Sequence, residues 1–308
     1  MMFELQIQDQ DQRLPSSYAT TPLREFTWED ITLPYELYKL DNRIGDGTTS
    51  IVYRATHHEH GECAVKEFRQ QYAYHMDNEL PFLEAMQHHA GFMKVYDIWR
   101  NDHHSYIAMP LVDGELMELI ERGMTPQQIV DCVEQLVDAI SAMHANDIVH
   151  FDLKPENIVY QRMPDGSIKY MIIDFGAAEH TDKVQSADFQ RKLNRREITL
   201  TSLFYRSYEG VMLDGKQLHT NKSDVWALGC IIYEMITNQP LFEDLHETMG
   251  KPYNRRIFKA GLKKMNDLDV SFDNTLGKIK QVMQHCLQTQ VEERYEAYEL
   301  ADVLALNP

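Results

Sequence analysis

The chain is poor in cysteine, poor in positive charge and devoid of long apolar runs, and each shortage closes off a class of protein. Its four cysteines, Cys63, Cys132, Cys230 and Cys286, are scattered with no C-x-x-C pair. That argues against a disulfide framework or a zinc site and fits four reduced thiols in a cytosolic compartment. Thirty Lys and Arg stand against 48 Asp and Glu, a formal net charge of −18. A phosphate backbone would be repelled over most of such a surface, so nucleic acid is not an expected partner. No window approaches membrane-spanning length, and the opening MMFELQIQDQDQ lacks the basic start and apolar run of a secretory signal. The second residue is Met2, not glycine, and the final ALNP holds no cysteine, so no lipid anchor is expected. The expectation is a soluble intracellular protein, cytoplasmic with the nucleus left open, and no membrane partner.

With 308 residues and 43% hydrophobic content the chain can bury a large core, as two small domains or one two-lobed unit. No internal repeat is visible. Residues 1–34 are polar and irregular (DQDQ, PSSYATTP), which reads as a mobile extension or docking arm. From Tyr35 to about Met109 short β-rich runs surround one helix: YKLDNRI, SIVYRAT, ECAVKEF, the helical MDNELPFLEAMQ, then FMKVYDIW and SYIAMPL. From Leu111 helical periodicity dominates, as in TPQQIVDCVEQLVDAISAMHA. The expected fold class is therefore α+β, a small antiparallel sheet lobe with one helix (35–110) and a larger, mainly helical lobe (111–308), with the active cleft between them.

The densest chemistry lies in HFDLKPEN, His150 to Asn157, followed by DFG at Asp174 to Gly176. One Asp to accept a hydroxyl proton, one Lys to meet a phosphate, and an Asn and a second Asp to hold magnesium are the parts a phosphoryl transferase needs. At these residues the chain resembles the eukaryotic-type protein kinase family, and further motifs stand around them in the family's order. The resemblance implies the bilobed kinase fold, Mg²⁺ and ATP as cofactors, and protein substrates. It gives Asp152 the role of orienting the substrate hydroxyl and taking its proton, Lys154 that of neutralising the transferring phosphate, and Asn157 and Asp174 that of holding Mg²⁺.

RIGDGTTSIVYRA, Arg43 to Ala55, resembles the family's glycine-rich loop, with Gly45 and Gly47 in place and Ser50 where a third glycine often stands. Such a turn lets backbone N–H groups approach phosphates closely, although an ordinary hairpin reads the same way. Val52 would lie over adenine, Ala64 in CAVK would leave room for it, and Lys66 would meet the α- and β-phosphates. Glu79, rather than Glu84, is the carboxylate expected to hold Lys66, with Leu83 facing the core. YIAMPLVDGEL resembles the hinge: Met109 falls at the gatekeeper position, Pro110 stands where many relatives have Glu, and Val112 supplies the N–H for adenine. Val159 completes the nucleotide-binding set.

Other matches concern the scaffold. His150, Phe175, Leu83 and Asp224 resemble the packed column linking the two lobes. FYRSYEG at Phe204 to Gly210 resembles the family's APE region with Tyr208 in place of proline, and Arg294 is the expected ion partner of Glu209. In KSDVWALGC, Asp224 would bond the catalytic-loop backbone. DLKPEN and Ser202 before YR point to serine or threonine as acceptor. Phe151 replaces the Arg that commonly precedes the catalytic Asp, and Glu179 stands where a basic residue often follows DFG. Without those cations a phosphate on the loop would not be drawn in, so activity is expected without phosphorylation at Thr181, Ser186, Thr199 or Thr201.

Arg191, Lys192, Arg195 and Arg196 form either a solvated basic loop or a dock for acidic or phosphorylated substrates. Tyr205, Arg206, IIYEM and PLF lean toward the cyclin-dependent and mitogen-activated kinases and proline-directed targets, whereas Glu156 favours basic residues upstream of the target; both stay open. Histidines 57, 58, 60, 103 and 104 fall in two expected hairpin turns, with a metal or pH-sensing patch as one reading and plain surface histidines as the other. The alternative to an enzyme is a pseudokinase or scaffold acting through protein partners, and a regulatory protein partner is left open in either case.

Overall fold

The computed structural model describes residues 37–47, 49–100, 105–194, 202–212, 219–243, 245, 251–270 and 274–305. The expected N-terminal extension, His103 and His104, and Arg195, Arg196, Thr199 and Thr201 lie outside the described residues. The contacts gather the chain into two compact units, one holding residues up to 73 together with 95–109, the other holding 74–94 and everything from 110 on.

The first unit is a five-stranded sheet of β1 (Tyr38–Asp46), β2 (Ser50–His57), β3 (Gly61–Phe68), β4 (Asp97–Arg100) and β5 (Ser105–Pro110), in the order β1-β2-β3-β5-β4. β1 with β2, β2 with β3 and β4 with β5 pair antiparallel. One face buries Tyr38, Ala55, Cys63, Val65, Trp99, Tyr106 and Ala108. Tyr38, Trp99 and Tyr106 stack in a row at centroid spacings of 5.0 and 5.1 Å, and the Tyr38 hydroxyl donates to buried Asp97.

In the second unit α1 (Tyr74–Met86) precedes β6 (Gly114–Glu115), α2 (Leu116–Arg122), α3 (Pro126–Ala145), β7 (Ile148–Val149), β8 (Ile158–Arg162), β9 (Ile168–Ile172) and β10 (Glu179–His180). Then come α4 (Thr181–Gln185), α5 (Ala187–Asn194), α6 (Tyr208–Met212), α7 (Lys222–Thr237), α8 (Lys251–Asp267), α9 (Asn274–Cys286) and α10 (Ala297–Ala305). α3 begins in a reciprocal capping box, Thr125 with Gln128, with Pro126 in its first turn where no N–H is needed. Its apolar stripe, including Ile129, Val133, Leu136, Ile140 and Met143, is buried. α7 is buried from Asp224 to Met235 on every side, the signature of a central helix. A Cβ on Gly229 would come within 2.7 Å of Cys286, so glycine there sets how closely α7 and α9 approach.

This is the α+β kinase architecture expected, a five-stranded sheet with a helix and then a mainly helical region. One expected strand is shortened: FMKVYDIW becomes extended pairing only from Asp97. Phe92 instead bridges to Ile172 and lies 5.8 Å from the Phe175 ring, because burial among the aromatics of the second unit outweighs strand propensity. No helix among the described residues is long and apolar enough to cross a membrane.

Candidate active site

The HFDLKPEN and DFG segments are held by backbone geometry that their own sequences do not favour. Phe151 and Asp174 both adopt left-handed conformations, φ 62° and 65°, at a cost of about 1–2 kcal/mol for a residue with a side chain. Asp224, in the first turn of α7 and 1% exposed, accepts hydrogen bonds from the N–H groups of His150 (2.8 Å) and Phe151 (2.9 Å). This is the contact the DVW motif led one to expect. His144, at the end of α3, adds a third bond to the same carboxylate at 3.0 Å; a histidine in a helix's last turn ordinarily reads as surface, so its sequence carried no signal.

His150 accepts the Asp152 N–H at Nδ1 (3.2 Å), which leaves the proton on Nε2 to donate to the Ile173 carbonyl at 3.1 Å. Its ring lies 5.2 Å from that of Phe175, and Leu83 of α1 is buried as well. Both oxygens of Asp152 are thereby engaged in a fixed frame. Oδ1 accepts the Ser202 N–H at 3.1 Å, and Oδ2 accepts from Lys154 Nζ and Asn157 Nδ2, each at 3.0 Å. Asn157 Nδ2 also donates to the Asp152 carbonyl at 2.7 Å, which turns the amide so that its oxygen faces away from Asp152. Asp174 Oδ1 accepts the Gly176 N–H at 3.3 Å. An amide oxygen and a carboxylate are the hard oxygen donors that suit Mg²⁺, so these residues fit the ion the family implies. Val159 is buried in β8, two residues after Asn157. Glu79 is buried in α1 while Glu84 is only half-buried.

In the first unit, Gly45 of β1, Val52 of β2 and Lys66 of β3 are cross-strand partners in one row. Directly paired residues share a face, and Ala64, two residues from Lys66, joins them opposite the buried aromatic row. A Cβ on Gly45 would stand 3.3 Å from Val52. The Gly47 N–H donates to the Ser50 carbonyl at 2.9 Å, closing the turn. Met109 and Pro110 end β5, half-buried, and Val112 follows two residues on.

Phe151 stands where the resemblance implies an arginine, and the structure shows where it goes. It is 1% exposed and packs with Val149, Val184 and Phe189, the last two from α4 and α5. β10 pairs with β7, and Gln190 donates to the carbonyls of Val184 (2.7 Å) and His219 (3.0 Å). Glu179 pairs with Lys183 one turn on, and Asp188 with Arg191 and Lys192. Segment 179–194 is therefore tied down by apolar burial and local ion pairs.

Three carboxylates missed as a group from the sequence, Glu115, Glu156 and Glu234, lie close enough to feel one another's charge. Burial, then Glu156 and Glu118, push the Glu115 carboxyl up, with Lys154 pulling the other way. Burial likewise raises Glu234, which accepts from the Tyr205 hydroxyl at 2.7 Å and feels the charge of Glu156. An acid inside the apolar helix IIYEM was the available signal.

The histidine turn between β2 and β3 is a different matter. His57, Glu59 and His60 offer ligand atoms within 4.8 Å of one another. Yet His57 Nδ1 already accepts the N–H groups of Glu59 and His60 at 3.2 Å each, and the His60 ring stacks on Tyr96 at 4.1 Å. The buried histidine is spent on closing the hairpin.

Known proteins similar in sequence to this chain are kinases. The chain is 31% identical over 274 residues to a probable cell division protein kinase of Encephalitozoon cuniculi, covering 87% of this chain and 96% of that one. It is 28% identical over 248 residues to mitogen-activated protein kinase 15 of Caenorhabditis elegans, covering 74% and 51%. It is 30% identical over 218 residues to human ribosomal protein S6 kinase alpha-4, covering 68% and 27%. The chain thus spans about half the length, or less, of several curated relatives it matches. The family model described as "Protein kinase domain" matches residues 38–303, and the chain belongs to the protein kinase family.

Proposed function

We propose that this protein transfers the γ-phosphate of ATP to serine and threonine hydroxyls of protein substrates. The observation that carries the reading is the hydrogen-bonded cluster of Asp152, Lys154 and Asn157, with both Asp152 oxygens held in place. Asp152 orients the incoming hydroxyl and accepts its proton as the oxygen–phosphorus bond forms. Lys154 offsets the charge on the transferring group. Asn157 and Asp174 would hold Mg²⁺, which, when bound, neutralises phosphate oxygens. Gly45, Gly47, Val52, Ala64, Lys66, Met109, Pro110, Val112 and Val159 are the residues that would receive the nucleotide, with Glu79 as the acid of the set.

The cluster of Phe151 with Val184 and Phe189 supports a second part of the reading: segment 179–194 is held by apolar packing rather than by a phosphate, so the unphosphorylated protein is active. The Glu115, Glu156 and Glu234 group favours targets with basic residues near the acceptor over proline-directed ones. The test is transfer from Mg-ATP to Ser, Thr and Tyr peptide pools with arginine or proline at fixed places; label on tyrosine alone would overturn the reading.

A further inference from the structure

α8 is out of keeping with the chain it belongs to. In a protein of net charge −18 it carries six basic residues and one acidic residue, Asp267, at its last position. Arg255, Arg256, Lys259, Lys263 and Lys264 are all exposed. Lys264 lies 3.8 Å from Glu243; Arg255, Lys259 and Lys263 have no ion partner among the described residues. Residues four apart stack along one helix face, so these three form a ladder of cations.

The ladder edges a groove. Tyr208, Phe258 and Leu262 give it an apolar wall, and its volume is about 370 Å³. A second hollow of about 370 Å³ shares Leu262, Asn266 and Thr289 with the first and continues it toward α9. Tyr208 is the residue that stands where the family has proline. It opens α6 and sets its ring edge-on against Phe258 at 5.0 Å. Phe258 is anchored behind by Phe242 at 4.9 Å and Trp226 at 5.7 Å. The departure from the family thus builds the wall of the groove, on a rigid aromatic base.

We propose that this groove docks an acidic segment of a partner protein that carries an aromatic or large aliphatic side chain. The cation ladder sets the charge of the occupant, and the Tyr208–Phe258–Leu262 wall takes its apolar side chain. A continuous phosphate backbone offers nothing to that wall and is repelled by the rest of the surface. A groove this small suits a transient contact rather than a permanent one. It is independent of whether the protein transfers phosphate, because binding is read directly.

The test uses the full chain and fluorescein-labelled acidic peptide pools with one Phe or Leu at varied positions, followed by anisotropy. The expected result is saturable binding that weakens with salt, falls about tenfold in Lys259→Glu/Lys263→Glu, and falls also when Ser replaces Phe or Leu in the peptides. Leu262→Gln separates the apolar part: binding drops while its salt dependence persists. Melting temperature shows that each variant is folded. Equal binding by the charge-reversed variant, indifference to the apolar residue, or equally tight binding of a single-stranded oligonucleotide would overturn the proposal.

Discussion

Arg294 reaches back 85 residues to grip Glu209 at two points, Nη1 to Oε1 at 3.0 Å and Nη2 to Oε2 at 2.9 Å, with both side chains out of water. The guanidinium also donates to the carbonyls of Gln288 and Lys222 and lies 5.0 Å from the Trp226 ring. Removing one charge leaves the other buried and unpaired. Arg294→Met is expected to cost about 3–5 kcal/mol in urea unfolding, and Glu209→Leu combined with it less than the sum.

The same pair sets a pH dependence. Burial alone would raise the Glu209 carboxyl, but attraction and hydrogen bonds from Arg294 outweigh it and hold the group down at about 2, against an ordinary 4.5. A depressed folded value means that the unfolded chain takes up the proton first. The pair's contribution is therefore complete above the ordinary carboxylate range and is lost as pH falls through it toward 2. Denaturation midpoints measured down that range should fall more steeply for the native protein than for the Glu209→Leu/Arg294→Met double variant.

Phe151 should matter as an apolar anchor. Phe151→Ala opens a void against Val184 and Phe189 and is expected to cost about 3 kcal/mol. It should also lower activity of the unphosphorylated protein by loosening segment 179–194, read as faster proteolysis there. Protein shown by mass to carry no phosphate should already be active; inertness until a loop phosphate is added would refute this.

If the three carboxylates recognise basic targets, Glu156→Gln should reduce kcat/KM for arginine-containing peptides about tenfold and leave arginine-free peptides nearly unchanged. Because the Glu115 and Glu234 carboxyls are pushed up, they take protons before ordinary carboxylates do. The preference for arginine should fade as pH is lowered, starting above the usual carboxylate range.

What could be read from the sequence was whatever a fixed spacing carries. Glu209 with Arg294 and Asp224 on the His150–Phe151 backbone were expected from their motifs, and the strands of the small sheet from their short β-rich runs. The shortened strand was not, because Phe92 is claimed by Phe175 and Ile172, partners distant in sequence. The fate of Phe151 was half visible: the missing arginine predicted the loss of a phosphate site, but only the fold brings Val184 and Phe189 to it. The Glu115, Glu156 and Glu234 group comes from three separate elements, and no local pattern announces it. Tyr208 looked like a plain departure until α8 placed Phe258 against it.

The most direct test compares the native protein with Asp152→Asn in transfer of γ-phosphate from Mg-ATP to Ser/Thr peptides, with ATP binding and melting temperature measured on both. The account predicts transfer by the native protein and a loss of at least about a hundredfold in kcat in the variant, which still folds and binds ATP. No transfer by a folded, ATP-binding native protein, or undiminished transfer by the variant, would contradict it.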